Sequence, residues 1–209
     1  MTTKPPVAIA VIPLERGETL EIAAYVVLAL LIVAVLYVVF TYNNLVSLKH
    51  AVAKAWSNID VLLKQRHDEL PKLVEVCRQY MKFEQDTLTQ VMEARSQVFD
   101  ARNNQDIGAL GQAEGMLRVG LGNLFAVAEA YPDLTANEHF RHLQTRVSGL
   151  ENAIADRREY YNESVNVNNV RIDQFPDIVV AKLFSFPPFE LLEFSDEERR
   201  DVNLKALFG

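Results

Sequence analysis

The chain has one cysteine, one tryptophan and no excess of basic residues. A lone Cys77 excludes an intrachain disulfide framework and any cysteine-rich metal site, and it reads as a small apolar core residue. With 21 Lys and Arg against 28 Asp and Glu, the formal net charge is -7. Nothing is left over to neutralise a phosphate backbone, so nucleic acid is not an expected partner. Glycine is missing between Glu18 and Ile107, and Pro71 is the one proline in that stretch; most of it can therefore be helical without an internal breaker. There is no phosphate loop, no Gly-x-Gly-x-x-Gly after a strand and no strand-rich half to carry one.

What the sequence has in abundance is apolar length. Ile22 to Phe40 runs for nineteen residues without charge, glycine or proline, and at about 1.5 Å per residue it spans roughly the 30 Å hydrocarbon core of a bilayer. The expectation is a transmembrane helix over residues 20–42, after an irregular tail over residues 1–19 that contains Pro5, Pro6, Pro13 and Gly17. The run is too long for a cleaved signal peptide and lacks its basic leader. Tyr37, Phe40 and Tyr42 stand where an interfacial aromatic belt belongs. Lys4 and Arg16 before the span balance Lys49 and Lys54 after it; Lys64 and Arg66 further along tip the expectation towards a soluble domain on the cytoplasmic side of a bacterial inner membrane.

Beyond the span, Leu45, Leu48, Val52, Ala55, Ile59 and Leu62 recur at steps of three and four, one apolar stripe of a helix continuing rigidly out of the membrane. Asp68 and Pro71 suggest a bend or break with a new N-terminus. A second stripe, from Leu70 through Cys77, Met81, Leu88, Val91 and Val98, predicts a helix of roughly thirty residues ending near Arg102. Asp106 can cap a third helix carrying Ile107, Leu110, Leu117, Leu121, Leu124 and Ala128, whose glycines permit close helix approach. A fourth begins after Thr135 or Asn137 and runs from Phe140 through Val147, Ile154, Tyr161 and Ile172 to Phe175 at a coiled-coil-like period. The predicted fold is all-α: a transmembrane helix leading into an elongated antiparallel bundle of about four long helices over residues 43–184. A C-terminal tail over residues 185–209 follows, with Phe184, Phe186, Phe189 and Phe194 clustered around Pro187 and Pro188. That tail either caps the bundle or anchors another subunit.

Catalytic chemistry finds little footing. Di-iron bundles use paired Glu-x-x-His motifs, and none occurs here; Glu138, His139 and His142 have no second cluster to complete a cage. His50 and His67 read as half-exposed helix residues, and Ser57 and Cys77 lack a motif that marks a nucleophile. No catalytic residue, metal or cofactor is expected. Polar residues do interrupt the stripes: Glu84 and Arg95 on the second, Arg158 and Asn162 beside Tyr161 on the last. Facing a bundle interior they must be paired, within the chain or across a protomer boundary. With Trp56 as a core anchor and Asp60 beside it, these residues form the expected structural network or interface.

Several segments carry a family resemblance: AWSNIDVLLKQRHDELPKLVE at Ala55–Glu75, TLTQVMEAR at Thr87–Arg95, EAYPDLTANEHFRHLQ at Glu129–Gln144, ENAIADRREYYNESVNVNN at Glu151–Asn169 and IDQFPDIVVAKLFSF at Ile172–Phe186. In order they resemble the bacterial LemA family across nearly the whole chain after the anchor. Phe83, where a histidine is expected, and Asn168, where an aromatic is usual, depart from the pattern and bear on the polar network. The resemblance implies a membrane-anchored helical bundle without catalytic residues. The family is similar to a protein of magnetosome membranes, a loose tie to membrane organisation. The expected partners are the lipid bilayer, further copies of the chain as a homo-oligomer, and in a second reading another membrane or signalling protein recruited by an adaptor.

Overall fold

The computed structural model describes residues 16–193, with side chains from Leu20 onward. Residues 1–15 of the expected N-terminal tail and residues 194–209, Phe194 among them, lie outside the described residues, whereas Arg16–Thr19, expected in that tail, are helical. Described residues form six helices and no strand: α1 (Arg16–Tyr80), α2 (Gln85–Asn103), α3 (Ile107–Ala128), α4 (Pro132–Ala136), α5 (Glu138–Asp173) and α6 (Asp177–Leu183). The chain divides between Asn44 and Leu45 into two compact units.

In the first unit, the apolar part of α1 has a mean hydropathy of 3.0 over eighteen residues, none of them buried against other parts of the chain. By length and composition it is able to cross a membrane.

The second unit is a bundle. Leu45, Val52, Ala55, Ile59, Leu63, Leu70, Leu73 and Cys77 give α1 a buried stripe, met by Leu88, Val91 and Val98 of α2, Leu110, Leu117, Leu121 and Leu124 of α3, and Phe140, Val147, Ile154, Tyr161 and Val165 of α5. The register of α1 against α5 is readable from three contacts: Asn137 Nδ2 donates to Tyr80 Oη at 3.0 Å, Arg66 pairs with Glu151, and the rings of Trp56 and Tyr161 meet edge to face at 5.8 Å. Going from the first contact to the second covers fourteen residues on each helix, and from the second to the third ten on each. The two helices are therefore antiparallel and stay in step. At the helix starts, Asp106 accepts from the N–H of Ala109 at 2.8 Å, and Asn137 accepts from His139 and Phe140. Asp106 occupies the cap position expected of it, and of Thr135 and Asn137 it is Asn137 that caps the longer helix.

Two boundaries and one stripe position differ from expectation. Helix α1 passes through Pro71 without a break and ends at Tyr80, and the interruption falls at Met81–Glu84, where no glycine or proline marks it. The expected thirty-residue second helix is thus split between the end of α1 and α2. Helix α5 stops at Asp173, Phe175 is 84 % exposed rather than in the stripe, and a separate α6 follows the cis Phe175–Pro176 peptide. Within the first stripe, Leu63 is buried where Leu62 was expected, since Leu62 is half-buried beside it.

Candidate functional site

The survival of α1 at Pro71 is explained by its neighbour. Proline has no N–H, so the carbonyl four residues earlier, that of His67, loses its helical partner. Arg95 of α2 fills the gap: its Nε donates to His67 O at 2.9 Å, and its Nη2 reaches His67 Nε2 at 2.6 Å. Because the guanidinium can only donate, Nε2 must accept, which makes His67 the neutral tautomer carrying its proton on Nδ1. Burial and the Arg95 charge hold the His67 pKa below its ordinary value, and Phe99 stacks on the ring at 4.7 Å.

The most buried charge in the bundle is one the sequence reading used only for orientation. Arg66, 1 % exposed, pairs with Glu114 of α3 and with Glu151 of α5, the latter at 2.6 Å. One guanidinium thus ties three helices. Burial opposes its charge, but the two carboxylates outweigh that and hold its pKa up. Burial pushes the Glu114 carboxyl upward against the pull of Arg66, and the charge of Arg158 reaches it as well. A small cavity of about 50 Å³ beside the triad is lined by Glu114, Arg118, Glu151 and Asn152. Nearby, Glu69 is buried and takes Arg146 at 3.0 Å and Lys72 at 3.3 Å.

The remaining expected residues are distributed through the bundle. Asp60 binds Arg102 in two-point fashion, with Nη2 to Oδ2 at 2.9 Å. Glu84 sits in the α1–α2 break, where Tyr131 Oη donates to it over a long 3.4 Å. Trp56 is half-buried against the core and Tyr161. Arg158 and Asn162 line a groove of about 830 Å³ along α5 that is closed on one side by Leu192 and Glu193. Of the two departures from the family pattern, Asn168 is buried and donates to Asn169 Oδ1 at 3.3 Å, whereas Phe83 is 95 % exposed.

The tail lies along the bundle. Residues 186–193 have no regular structure, yet Leu192 is buried and Phe189 and Leu191 pack against the core. Phe184 is exposed and Phe186 half-buried. Helix α3 admits the tail at Gly111, where a Cβ would fall 2.0 Å from the carbonyl oxygen of Glu193.

Chemically these groups are occupied with one another. Ser57 Oγ donates to the carbonyl of Ala53, Cys77 is buried with its thiol pushed up to about 12 by burial, and Glu138, His139 and His142 are exposed. Among the described residues no group of three or more His, Cys, Asp or Glu is placed to hold a metal ion.

Comparison with known proteins agrees with this architecture. The sequence profile of the LemA family matches residues 55–205. The chain is 25% identical over 195 residues to magnetosome protein MamQ 2 of Paramagnetospirillum magneticum, covering 79% of this chain and 72% of the relative. It is 24% identical over 198 residues to magnetosome protein MamQ of Magnetospirillum gryphiswaldense, covering 84% and 72%. Protein LemA of Metamycoplasma hominis is 25% identical over 187 residues, covering 88% and 84%. A membrane-associated helical protein with this sequence pattern, a continuous match from Ala55 through the tail and this bundle belongs to the LemA family.

Proposed function

We propose that this chain is a non-enzymatic single-pass protein of the bacterial cytoplasmic membrane whose helical domain, on the cytoplasmic side, self-associates and thereby organises or remodels the bilayer. The observation that carries this reading is an apolar surface beside a closed interior. Val167, Val170, Phe175, Val179, Leu183 and Phe184 are all exposed within a stretch of eighteen residues. So dense a run of exposed apolar side chains on a bundle whose core is already complete is the composition of an interface. Similarity to magnetosome proteins supports a role at a membrane compartment.

The test is electron microscopy with mass measurement on full-length protein, both in mild detergent and in liposomes. Multi-copy assemblies are expected, together with altered liposome shape. Uniform monomers at micromolar concentration overturn the reading.

A second reading rests on Phe83. It is 95 % exposed in the α1–α2 break, thirty-eight residues beyond Leu45 along a chain that is helical to Tyr80, hence on the order of 50 Å away within the domain. An aromatic displayed there suits an adaptor that recruits another envelope or signalling protein. Affinity purification that recovers a second protein, lost on Phe83→Ser, supports the adaptor; recovery of the chain alone removes it.

A further inference from the structure

The tail is held by its main chain. Asn169 Nδ2 donates to Phe189 O at 2.8 Å while the Phe189 N–H donates to Asn169 Oδ1 at 3.0 Å. Asn162 repeats the arrangement with Leu192, Nδ2 to O at 3.0 Å and N–H to Oδ1 at 2.9 Å. Between them Tyr161 Oη donates to the carbonyl of Glu190 at 3.0 Å. Each carboxamide offers the donor and acceptor that an adjacent strand would offer.

The spacing makes this a built receptor. Asn162 and Asn169 lie seven residues apart on α5, about 10.5 Å along a helix. Phe189 and Leu192 lie three apart, about 9–10 Å along an extended or polyproline-type chain. Pro187 and Pro188 immediately upstream predispose the segment to that conformation. Gly111 makes room for the carbonyl of Glu193, and Leu192 fills a buried site.

The connection from α6 is a short turn, in which the N–H groups of Phe184, Ser185 and Phe186 donate to Val180, Lys182 and Ala181 at 3.0, 3.3 and 2.9 Å. Ser185 has a φ of 55°, Pro187 and Pro188 have no N–H to offer, and Phe184, Ser185, Pro187 and Pro188 are exposed. The receptor reads main-chain atoms together with Leu192, Phe189 and Leu191, all of which an identical segment from a second copy also carries. Binding energy at the receptor then cancels between the two arrangements. Any added contact between copies favours exchange, and the exposed apolar stretch ending at Phe184 adjoins the hinge. Confinement to one membrane raises the effective concentration of neighbours further.

We propose that the Asn162–Asn169 groove receives residues Phe186–Glu193 from a second copy of the chain, so that neighbouring protomers are linked by exchanged tails. This rests on the self-association reading and specifies its joint. The test places benzoylphenylalanine at position 189 of full-length chain carrying one tag, co-expressed in membranes with chain carrying another, followed by illumination. Expected is a shift from 23.7 kDa to twice that mass, with both tags in the product and attachment mapped to α5 of the other copy. Paired Asn162→Leu and Asn169→Leu, which keep bulk and remove the four carboxamide bonds, abolish that band. Attachment confined to the chain's own α5, or to a different protein, overturns the exchange. If such intrachain attachment is found in samples whose measured mass is multi-copy, exchange fails and self-association stands. If the mass is that of a monomer, both fail.

Discussion

Arg95 donates to the carbonyl of His67, the carbonyl that Pro71 leaves without a helical partner. The domain tolerates a proline deep inside its longest helix because a side chain from the next helix makes the bond that the proline cannot. Arg95→Met therefore strands a part-buried carbonyl and costs about 1–3 kcal/mol. Pro71→Ala restores the N–H and makes α1 more stable by an amount on the order of the helix-interior penalty of proline, about 3 kcal/mol. The two changes are coupled: in the Pro71→Ala background, Arg95→Met loses much of its effect. Thermal unfolding of the four proteins in one detergent checks this cycle, and simple additivity contradicts it.

Arg66 predicts a different pattern. Arg66→Met leaves the buried Glu114 carboxylate uncompensated and destabilises the domain by about 3–5 kcal/mol, whereas Arg66→Met with Glu114→Met removes both charges and restores most of the loss. Denaturant unfolding of the three proteins reads the difference. Equal loss in the single and double variants rejects the triad as an electrostatic unit.

The His67 ring carries a pH dependence whose sign is fixed by its neighbours. Because burial and Arg95 lower its folded pKa, the unfolded chain takes up the proton first as pH falls. Its contribution is fully present above the unfolded value of about 6.5 and is lost as pH drops from there through the folded pKa. His67→Gln flattens this part of the stability profile. Stability rising between pH 7 and 5.5 through this residue, compared with that variant, contradicts the assigned tautomer.

Two glycines of α3 predict opposite responses. Gly111→Ala drives a methyl into the backbone of Glu193 and displaces the tail, which limited proteolysis detects as faster cleavage after residue 185. Gly122 has nothing within 4 Å of an added Cβ, so Gly122→Ala stabilises by up to about 1 kcal/mol through helix propensity alone. Indistinguishable behaviour of the two removes the role given to Gly111.

The burial that pushes the Cys77 thiol up to about 12 also makes it inert. Maleimide labels it on the timescale of unfolding rather than of diffusion. Fast labelling of native protein contradicts its place in the core.

Much of this fold is legible from apolar spacing, because helices about six and ten turns long, capped at Asp106 and Asn137, announce themselves locally. The misreading at Pro71 has a clear cause: the residue that rescues the helix is twenty-four positions away, and no local rule connects Arg95 to it. Arg66 was within reach. Ile59, Leu63, Arg66 and Leu70 step by four, three and four, which puts its side chain on the core face, and Glu114 and Glu151 fall on the stripes of α3 and α5 in the same way. A charge on each of three buried stripes is a signature of mutual pairing. The Asn162 and Asn169 receptor was half legible: Asn162 stands out beside Tyr161, but its partners are main-chain atoms, which sequence does not distinguish.

The central claim is that copies of this chain associate through the helical domain. The most direct test is the mass of full-length protein reconstituted at low density in lipid nanodiscs wide enough for several copies. Discs holding several copies, reduced to one by Val179→Glu with Leu183→Glu on the exposed apolar stretch, are the predicted result. Single copies in every disc, at all protein-to-lipid ratios tried, contradict the account.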